Sequence, residues 1–438
     1  MTYPEAIDFL YSLRLFGTKF GLENIRELSL LNGNPHDKLR FIHVAGTNGK
    51  GSTCAILESI YRANGLKTGL FSSPHLVSFT ERIQINRQPI SEDDVSRITA
   101  AIMDSLGGRD FNQWFLRPTF FEFVTIMALR YFQEKKCDLV IWETGLGGRL
   151  DATNIVLPLA SVITNIQYDH QAWLGNTLEE IAREKAGIIK PRVPVLTATS
   201  PGPALDVIRE TAEQNKAPLI EVQSNNEFAL QFKEPLSRLP LRGEHQICNA
   251  TLAIAVTSTL SSVLPVSAEA IHRGTESVHW AGRLQLIERG PSILLLDGAH
   301  NPDGAKSLAA SIPAIAQDRP ITVILGLFRD KDWQEMCDQL APLAARLFLV
   351  PVSSERTADP SEVQTYCRAK WPSLEIASFG SLGEALDATV SHPFVVVAGS
   401  LHLIGEAMEH LRVSPGVRSE RGLNEWDATN SARTGGKP

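Results

Sequence analysis

The run Gly46-Thr47-Asn48-Gly49-Lys50-Gly51-Ser52 combines three glycines with one lysine and a terminal hydroxyl residue, the make-up of a loop that cradles phosphate. Glycine lets backbone N–H groups approach phosphate oxygens with no Cβ in the way, and a helix starting at the loop adds partial positive charge. Lys50 would add a full one. The strict pattern G-x-x-x-x-G-K-[ST] is not met, because Val44 stands at the first glycine position and Gly51 separates Lys50 from Ser52. A plain glycine-rich turn with an exposed lysine is the alternative, but the order strand, loop, helix favours phosphate binding. Three further groups have matching chemistry: Ser72-Ser73, Glu143 and Asp169-His170. Mg²⁺ takes oxygen ligands, usually one or two from protein and the rest from phosphate and water, which suits Glu143. His170 is a less usual Mg²⁺ ligand and reads equally as a capping or core histidine. The run Gly145-Leu146-Gly147-Gly148-Arg149 either brings backbone close to a ligand or is a simple turn.

These groups act together only if the fold converges them. LRFIHVAG reads as a short buried strand entering the loop. The following helix carries Ile56, Leu57, Ile60 and Tyr61 on one face and ends at Asn64-Gly65, and KTGLFSS closes a βαβ unit. A helix around Phe120–Glu134, the strands DLVIWE and SVITNI, a helix around Leu178–Gly187 and the strand VPVLTA continue the alternation. The fold class is therefore α/β, a mostly parallel sheet covered by helices. Ligands of such sheets gather beyond the carboxyl ends of the strands, where Ser73, Glu143 and Asp169-His170 all fall. From about Ser292, SILLLDGAH, ITVILGLF, RLFLVPV, LEIASFG and FVVVAGS form a second, smaller α/β series. The boundary is expected near residues 283–291, where ERGPS supplies Gly and Pro, giving domains 1–285 and 286–412. Residues 413–438, polar and rich in Gly, Ser and Arg, are expected to be a disordered tail.

Composition narrows the partners. The 438 residues suggest two or three domains. Lys and Arg number 42 against 49 Asp and Glu, a net charge of -7. Nucleic acid is thus not an expected partner, and an anionic ligand must be held by local positive groups. Cys54, Cys137, Cys248, Cys337 and Cys367 are scattered, odd in number and without a CxxC pair. That favours reduced thiols in the cytoplasm over disulfides or a zinc site. MTYPEAIDFLYSLRLFG reads as an amphipathic helix, not a signal peptide, and no apolar run approaches the ~18 residues of a membrane span.

Nine motifs, AGTNGKGS, SSPHL, ERI, ETGLGGRLDATN, DH…LG.T…IA.EKAGIIK, GEHQICNA, AGRLQ, DGAHNPDG and GSLHLIGE, follow one another between about residues 43 and 406. In content and order they resemble the folylpolyglutamate synthase/dihydrofolate synthase branch of the Mur ligase superfamily. The resemblance implies a P-loop ATPase-like N-terminal domain and a Rossmann-like C-terminal ligase domain. It implies that Asn48, Gly49, Lys50, Gly51 and Ser52 hold the phosphates of ATP, and that Ser73, Glu143 and His170 ligate Mg²⁺. Lys185 matches a carbamylated lysine that helps to hold a second Mg²⁺. Asn249, Arg283 and Asp297, with His300 nearby, would contact the nucleotide, and Thr119, Phe120 and Phe121 lie where the family binds the pterin. Read from the residues alone, Lys185 is a solvated helix-end lysine, Arg283 a surface ion-pair partner and Asp297 a strand-end turn residue. Thr119–Phe121 are then ordinary helix packing. The sequence departs from the common pattern at Gln167-Tyr168 and at Trp280-Ala281, neither of which is expected to touch an assigned ligand.

The implied activity is ATP- and Mg²⁺-dependent joining of L-glutamate to dihydropteroate or to a reduced folate and its polyglutamates. A carboxylate is a poor acyl donor, so it is first phosphorylated to an acyl phosphate, with Lys50, Lys185 and His170 at the chemistry. A monomer is expected. A Mur-type peptide ligase acting on another carboxylate would carry a nucleotide-sugar domain before the loop, where about 45 residues stand here. A nucleotide-gated binding protein would leave Glu143, His170 and Lys185 unexplained.

Overall fold

In a computed structural model of the chain, describing residues 1–14, 21–107, 117–222, 233–413 and 420–424, the apolar run Phe41–Ala45 is strand β1 and is buried at every residue. A strand with no solvent face must be central, and β1 is. With β2 (Thr68–Phe71), β3 (Ile83–Ile85), β4 (Gln88–Pro89), β5 (Leu139–Glu143), β6 (Ala160–Ile163), β7 (Val195–Thr197) and β8 (Leu219–Glu221) it forms one sheet. The strand order is β4-β3-β2-β5-β1-β6-β7-β8. The six strands from β2 to β8 in that order are parallel, and β3 and β4 form an antiparallel hairpin on one edge. The chain leaves β1 towards β2 on one side and later returns to place β6 on the other. Beyond the carboxyl end of β1 there is thus a topological switch point, the place where such sheets bind ligands.

Helix Lys50–Ala63 follows the loop. Ile56, Leu57, Ile60 and Tyr61 are fully buried, but so is nearly everything else from Ser52 to Tyr61. Helices Glu244–Thr259 and Ala268–Glu276 cover the face that would otherwise meet water. Gly274 permits this, since a Cβ there would run into the backbone of Ile60. The buried Glu58 is held by Arg62 (3.0 Å) and by the Thr68 hydroxyl (2.7 Å). On the opposite face of the sheet, Phe71, Phe123, Phe132 and Trp142 form an aromatic core beneath helices Tyr3–Arg14 and Phe120–Glu134.

The second sheet contains β9 (Gln285–Arg289), β10 (Ser292–Leu296), β11 (Ile321–Leu325), β12 (Arg346–Leu349), β13 (Glu375–Ser378) and β14 (Phe394–Ala398), in the order β13-β12-β11-β14-β10-β9. All pairings are parallel except β9 with β10. The Glu288–Ser292 run, expected to mark the domain boundary, is instead the hairpin between β9 and β10, with Gly290 at φ 59°. Its Gly and Pro serve a tight turn inside the second sheet. The tail is also corrected in part. Residues Arg421–Asn424 form a 3₁₀ turn in which Leu423 and Asn424 are buried, and Glu420 is buried beside them. The rest of the predicted tail, 414–419 and 425–438, lies outside the described residues. No helix among the described residues is long and apolar enough to cross a membrane.

Candidate active site

Two glycines shape the loop from Gly46 to Ser52. Gly49 takes φ 84° and a Cβ on it would strike the Asn249 amide; Gly46 takes φ 148° and a Cβ would strike the Thr164 hydroxyl. Left-handed backbone and close approach both demand glycine. The loop is tied to the end of β6: Thr47 N donates to Asn165 O (2.9 Å), Asn48 N to Asn165 Oδ1 (2.8 Å) and Thr164 Oγ1 to Asn48 O (2.6 Å). Lys50 Nζ folds back onto the carbonyls of Gly46 and Thr47, both at 3.0 Å, so its charge sits at the loop. Ser52 is buried one residue beyond Gly51. The departures at Gln167-Tyr168 and Trp280-Ala281, expected to touch no assigned ligand, are not remote from the loop. A Cβ on Gly51 would lie 2.9 Å from the Trp280 ring, and the backbone of Gln167 exchanges two hydrogen bonds with Thr47 Oγ1.

Glu143, the last residue of β5, is buried and accepts a bond from Ser73 N at 3.3 Å. Burial pushes its carboxyl up to about 7, against the pull of Lys50, Arg283 and Arg82. Among the described residues it has no ion-pair partner. Lys185, expected from its own position to be a solvated helix-end lysine, is buried, and its Nζ donates to Gly46 O at 2.9 Å. Burial, aided by the nearby charge of Lys50, lowers its ammonium to about 7. His170 takes left-handed φ 51° at the head of helix Gln171–Leu174, and burial depresses its imidazole to about 3, so the ring is neutral. Its backbone N–H donates to Asp169 Oδ1 at 2.8 Å. Burial works to raise the Asp169 carboxyl, but His170, His300 and Lys331 outweigh it and hold the group well below the usual range.

The second sheet presents its strand ends to this cluster. Asp297, following β10, accepts from Leu284 N (2.9 Å) and Ala299 N (3.0 Å), so part of its role is that of a turn carboxylate. Arg283 is half-buried between the two domains and, among the described residues, forms no surface ion pair. Burial lowers its pKa, while Asp297 and Glu143, one from each domain, both favour its charge. His300 Nε2 stands 3.6 Å from Asp169. Asn48, assigned to phosphate, extends its side chain across the cleft to Asp303 Oδ2 (2.8 Å) and Asn301 Oδ1 (3.2 Å). Asn165 also reaches Asp303 (3.2 Å), and Lys331 forms an ion pair with Asp169.

Thr119 caps helix Phe120–Glu134: Glu122 N donates to its hydroxyl (3.2 Å) and Thr119 N to Glu122 Oε2 (2.7 Å). That hydroxyl is committed to the capping box. Phe121 fills the space that a Cβ on Gly145 would occupy, 2.5 Å away, while Gly148 is kept small by Ile188 and the carbonyls of Glu184 and Lys185. Phe120 is half-buried and faces the Arg82 guanidinium, 5.2 Å from its ring centre. Arg82, Asn165, Asn301, Asp303 and Lys331 were missed in the sequence reading. Lys331 had a positional signal, since it follows the carboxyl end of the strand ITVILGLF. Among the described residues no three His, Cys, Asp or Glu side chains cluster as a ready-made metal cage.

Residues 282–401 match the family model described as Mur ligase, glutamate ligase domain. The two α/β sheets and this match define an ATP-dependent ligase of the Mur type. The chain is 36% identical to the dihydrofolate synthase/folylpolyglutamate synthase of Bacillus subtilis over 94% of its own length and 99% of that protein's. It is 32% identical to the Escherichia coli enzyme of the same name over 92% and 94%. Among solved structures, folylpolyglutamate synthase of Thermotoga maritima superposes with a TM-score of 0.80 at 32% identity, covering 95% of this chain and 98% of that one. Escherichia coli FolC in complex with DHPP and ADP gives 0.82 at 30% identity, covering 94% and 98%. The chain belongs to the folylpolyglutamate synthase/dihydrofolate synthase family. Its class of activity is ATP-dependent glutamate ligation.

Proposed function

We propose that this chain joins L-glutamate to a pterin-linked carboxylate, accepting both dihydropteroate and a reduced folate with its growing glutamate tail. The supporting observation is convergence: Lys50 and Lys185 both bond the Gly46 carbonyl, while Glu143 lies within the field of Lys50 and of Arg283. The acceptor carboxylate attacks the γ-phosphorus of ATP, the bond to the bridging oxygen breaks and ADP leaves. The glutamate amine then attacks the acyl carbon and loses a proton, an amide forms, and phosphate departs. Both steps serve either acceptor, because each activates a carboxylate and adds the same amino acid. Relatives that carry both activities in their names match this chain over nearly their whole length.

Phosphoryl transfer asks the protein mainly for position and charge. Asn48, Gly49, Lys50, Gly51 and Ser52 hold the phosphates, and Asn249, Arg283, Asp297 and His300 hold the rest of the nucleotide. The residues fit one or two Mg²⁺ ions. Glu143 is a buried carboxylate in need of positive charge, His170 is neutral, and the Ser73 backbone N–H bonds Glu143, which brings Ser73 beside it. Lys185, brought to about 7, supplies the unprotonated amine that carbamylation requires. Bound there, Mg²⁺ would neutralise phosphate charge, with phosphate and water completing its shell. The second domain roofs the cleft through Asn301, Asp303 and Lys331, shielding an acyl phosphate from water. The site is completed by two domains of one chain, in keeping with a monomer, and the five thiols are free, in keeping with the cytoplasm.

ADP release measured with dihydropteroate, and separately with a reduced folate monoglutamate, should require glutamate as well as acceptor. Lys50→Ala should abolish turnover while leaving the thermal transition in place. ADP release independent of acceptor and glutamate would favour a nucleotide switch and sink the ligase reading.

A further inference from the structure

The loop from Ser73 to Arg82 carries Ser73, bonded to Glu143, at one end and the Phe79 and Arg82 side chains, both beside Phe120, at the other. Few of its bonds come from its own sheet. Glu81 ties the loop to itself at Leu76, Val77 and Ser78, and most of its bonds to other segments come from residues 420–424, more than 330 positions downstream. The Asn424 amide reads the loop twice: its Oδ1 accepts from Arg82 at 2.5 Å and its Nδ2 donates to His75 O at 2.9 Å. His75 is threaded between the two segments, its Nδ1 accepting from Arg82 Nε (2.8 Å) and its Nε2 facing Glu420 O (3.0 Å). This fixes the tautomer with the proton on Nε2. The Glu420 carboxylate accepts from Phe79 N (2.7 Å), the Tyr3 hydroxyl (2.8 Å) and the Ser78 hydroxyl (3.3 Å), and Glu420 N donates to Val77 O (2.9 Å). Arg421 pairs with Glu409 on helix Leu401–His410 of the second domain. On that helix Gly405 leaves room for Leu76 O, where a Cβ would collide.

Arg82 is the pivotal group. Its guanidinium is buried, has no carboxylate within ion-pair distance among the described residues, and takes Asn424 Oδ1 and His75 Nδ1 as its acceptors. A buried cation whose acceptors are removed will turn to seek others. Here that motion would displace it from the Phe120 ring and carry the Ser73–Arg82 loop with it.

We propose that residues 420–424 are a positioning clamp for the acceptor side of the site: through Glu420 and Asn424 they set the Ser73–Arg82 loop and hold the Arg82 guanidinium at the face of Phe120, where the pterin-linked carboxylate substrate is to bind. The inference rests on the acceptor site proposed above and adds residues to it that do not touch substrate. The clamp also links the loop to the second domain through Arg421, so the acceptor wall and the nucleotide roof move as one piece.

The test uses steady-state kinetics with ATP, glutamate and dihydropteroate varied in turn. Asn424→Ala should raise KM for dihydropteroate about tenfold while KM for ATP changes less than twofold. Glu420→Ala should do the same, and Glu420→Gln, which keeps an acceptor for Phe79 N, should restore most of the loss. A chain ending at residue 426 should behave as the full chain, whereas one ending at residue 419 should show faster amide hydrogen exchange across residues 73–82. Should the chain ending at 419 fail to fold, the two alanine variants decide. An unchanged dihydropteroate KM in both, or equal rises in the KM values for dihydropteroate and ATP, would overturn the clamp. Failure of the full chain to use any pterin acceptor would instead overturn the proposed function, so the two failures are separable.

Discussion

Lys185 donates to the carbonyl of Gly46 at 2.9 Å, although the two residues stand 139 positions apart. This contact carries a buried, weakly basic amine into the mouth of the Gly46–Ser52 loop, where helix-end lysines do not ordinarily go.

Lys185→Arg should lower kcat about 10²–10³-fold, the scale seen when one preorganised electrostatic group is removed. Arginine keeps the positive charge but cannot be carbamylated. With an amine brought to about 7, the unprotonated fraction grows as pH rises through 7. Labelled bicarbonate should therefore give a carbamate carbon signal that strengthens from pH 6.5 to 8 and is absent in the variant. Equal signals in both proteins would remove Lys185 from that role.

Gly46→Ala tests the shape of the loop. The new Cβ would meet the Thr164 hydroxyl at φ 148°, and strain of this kind costs about 1–3 kcal/mol. ATP should bind about tenfold or more weakly by calorimetry, with Thr164→Ala relieving part of the loss. Wild-type affinity in the single variant would mean that the loop tolerates a different backbone.

Lys331→Ala tests the roof. It leaves the Asp169 carboxylate buried without its ammonium partner, and breaking one side of such a pair costs about 3–5 kcal/mol. Part of that cost should be relieved by separation of the domains, seen as a larger radius of gyration by small-angle scattering without ligand. ATP should restore the compact form. An unchanged scattering profile together with an unchanged thermal midpoint would show that the pair ties nothing.

His43, fully buried in β1, bonds Thr153 Oγ1 at 2.9 Å, and burial depresses its imidazole to about 3. The unfolded chain binds that proton near 6.5 and the folded chain only near 3. Stability from this group is therefore whole above 6.5 and is lost as pH falls through the window between. Each such histidine adds a slope of ~1.4 kcal/mol per pH unit. Urea unfolding between pH 6 and 4.5 should show His43→Gln with a flatter pH dependence than the parent by about that amount. Parallel curves would refute the assignment.

What local chemistry writes was readable along the chain. The apolar runs of β1, β5, β10, β11 and β14 have the short, continuous pattern of strands buried on both faces. Gly46 and Gly49 announced a loop that only glycine can make. The order strand, loop, helix sets Lys50 at the end of β1, and the carboxyl ends of the next parallel strands bring Glu143 and His170 to the same sheet edge. Where reading failed, the deciding partner was distant. Gly290-Pro291 look the same in a linker as in a hairpin, and only pairing with β10 separates the two.

The sequence by itself determined the α/β class, the glycine-rich loop between strand and helix, and the family, because apolar periodicity, turn residues and motif order are all local or ordered along the chain. Only the tertiary structure decided that Lys185 is buried and not solvated, that Trp280 closes on Gly51, that Asp169 meets Lys331, and that residues 420–424 grip Arg82. Those outcomes depend on burial and on contacts between residues more than a hundred positions apart, and a charge or an amide reads the same in sequence whether water or protein surrounds it.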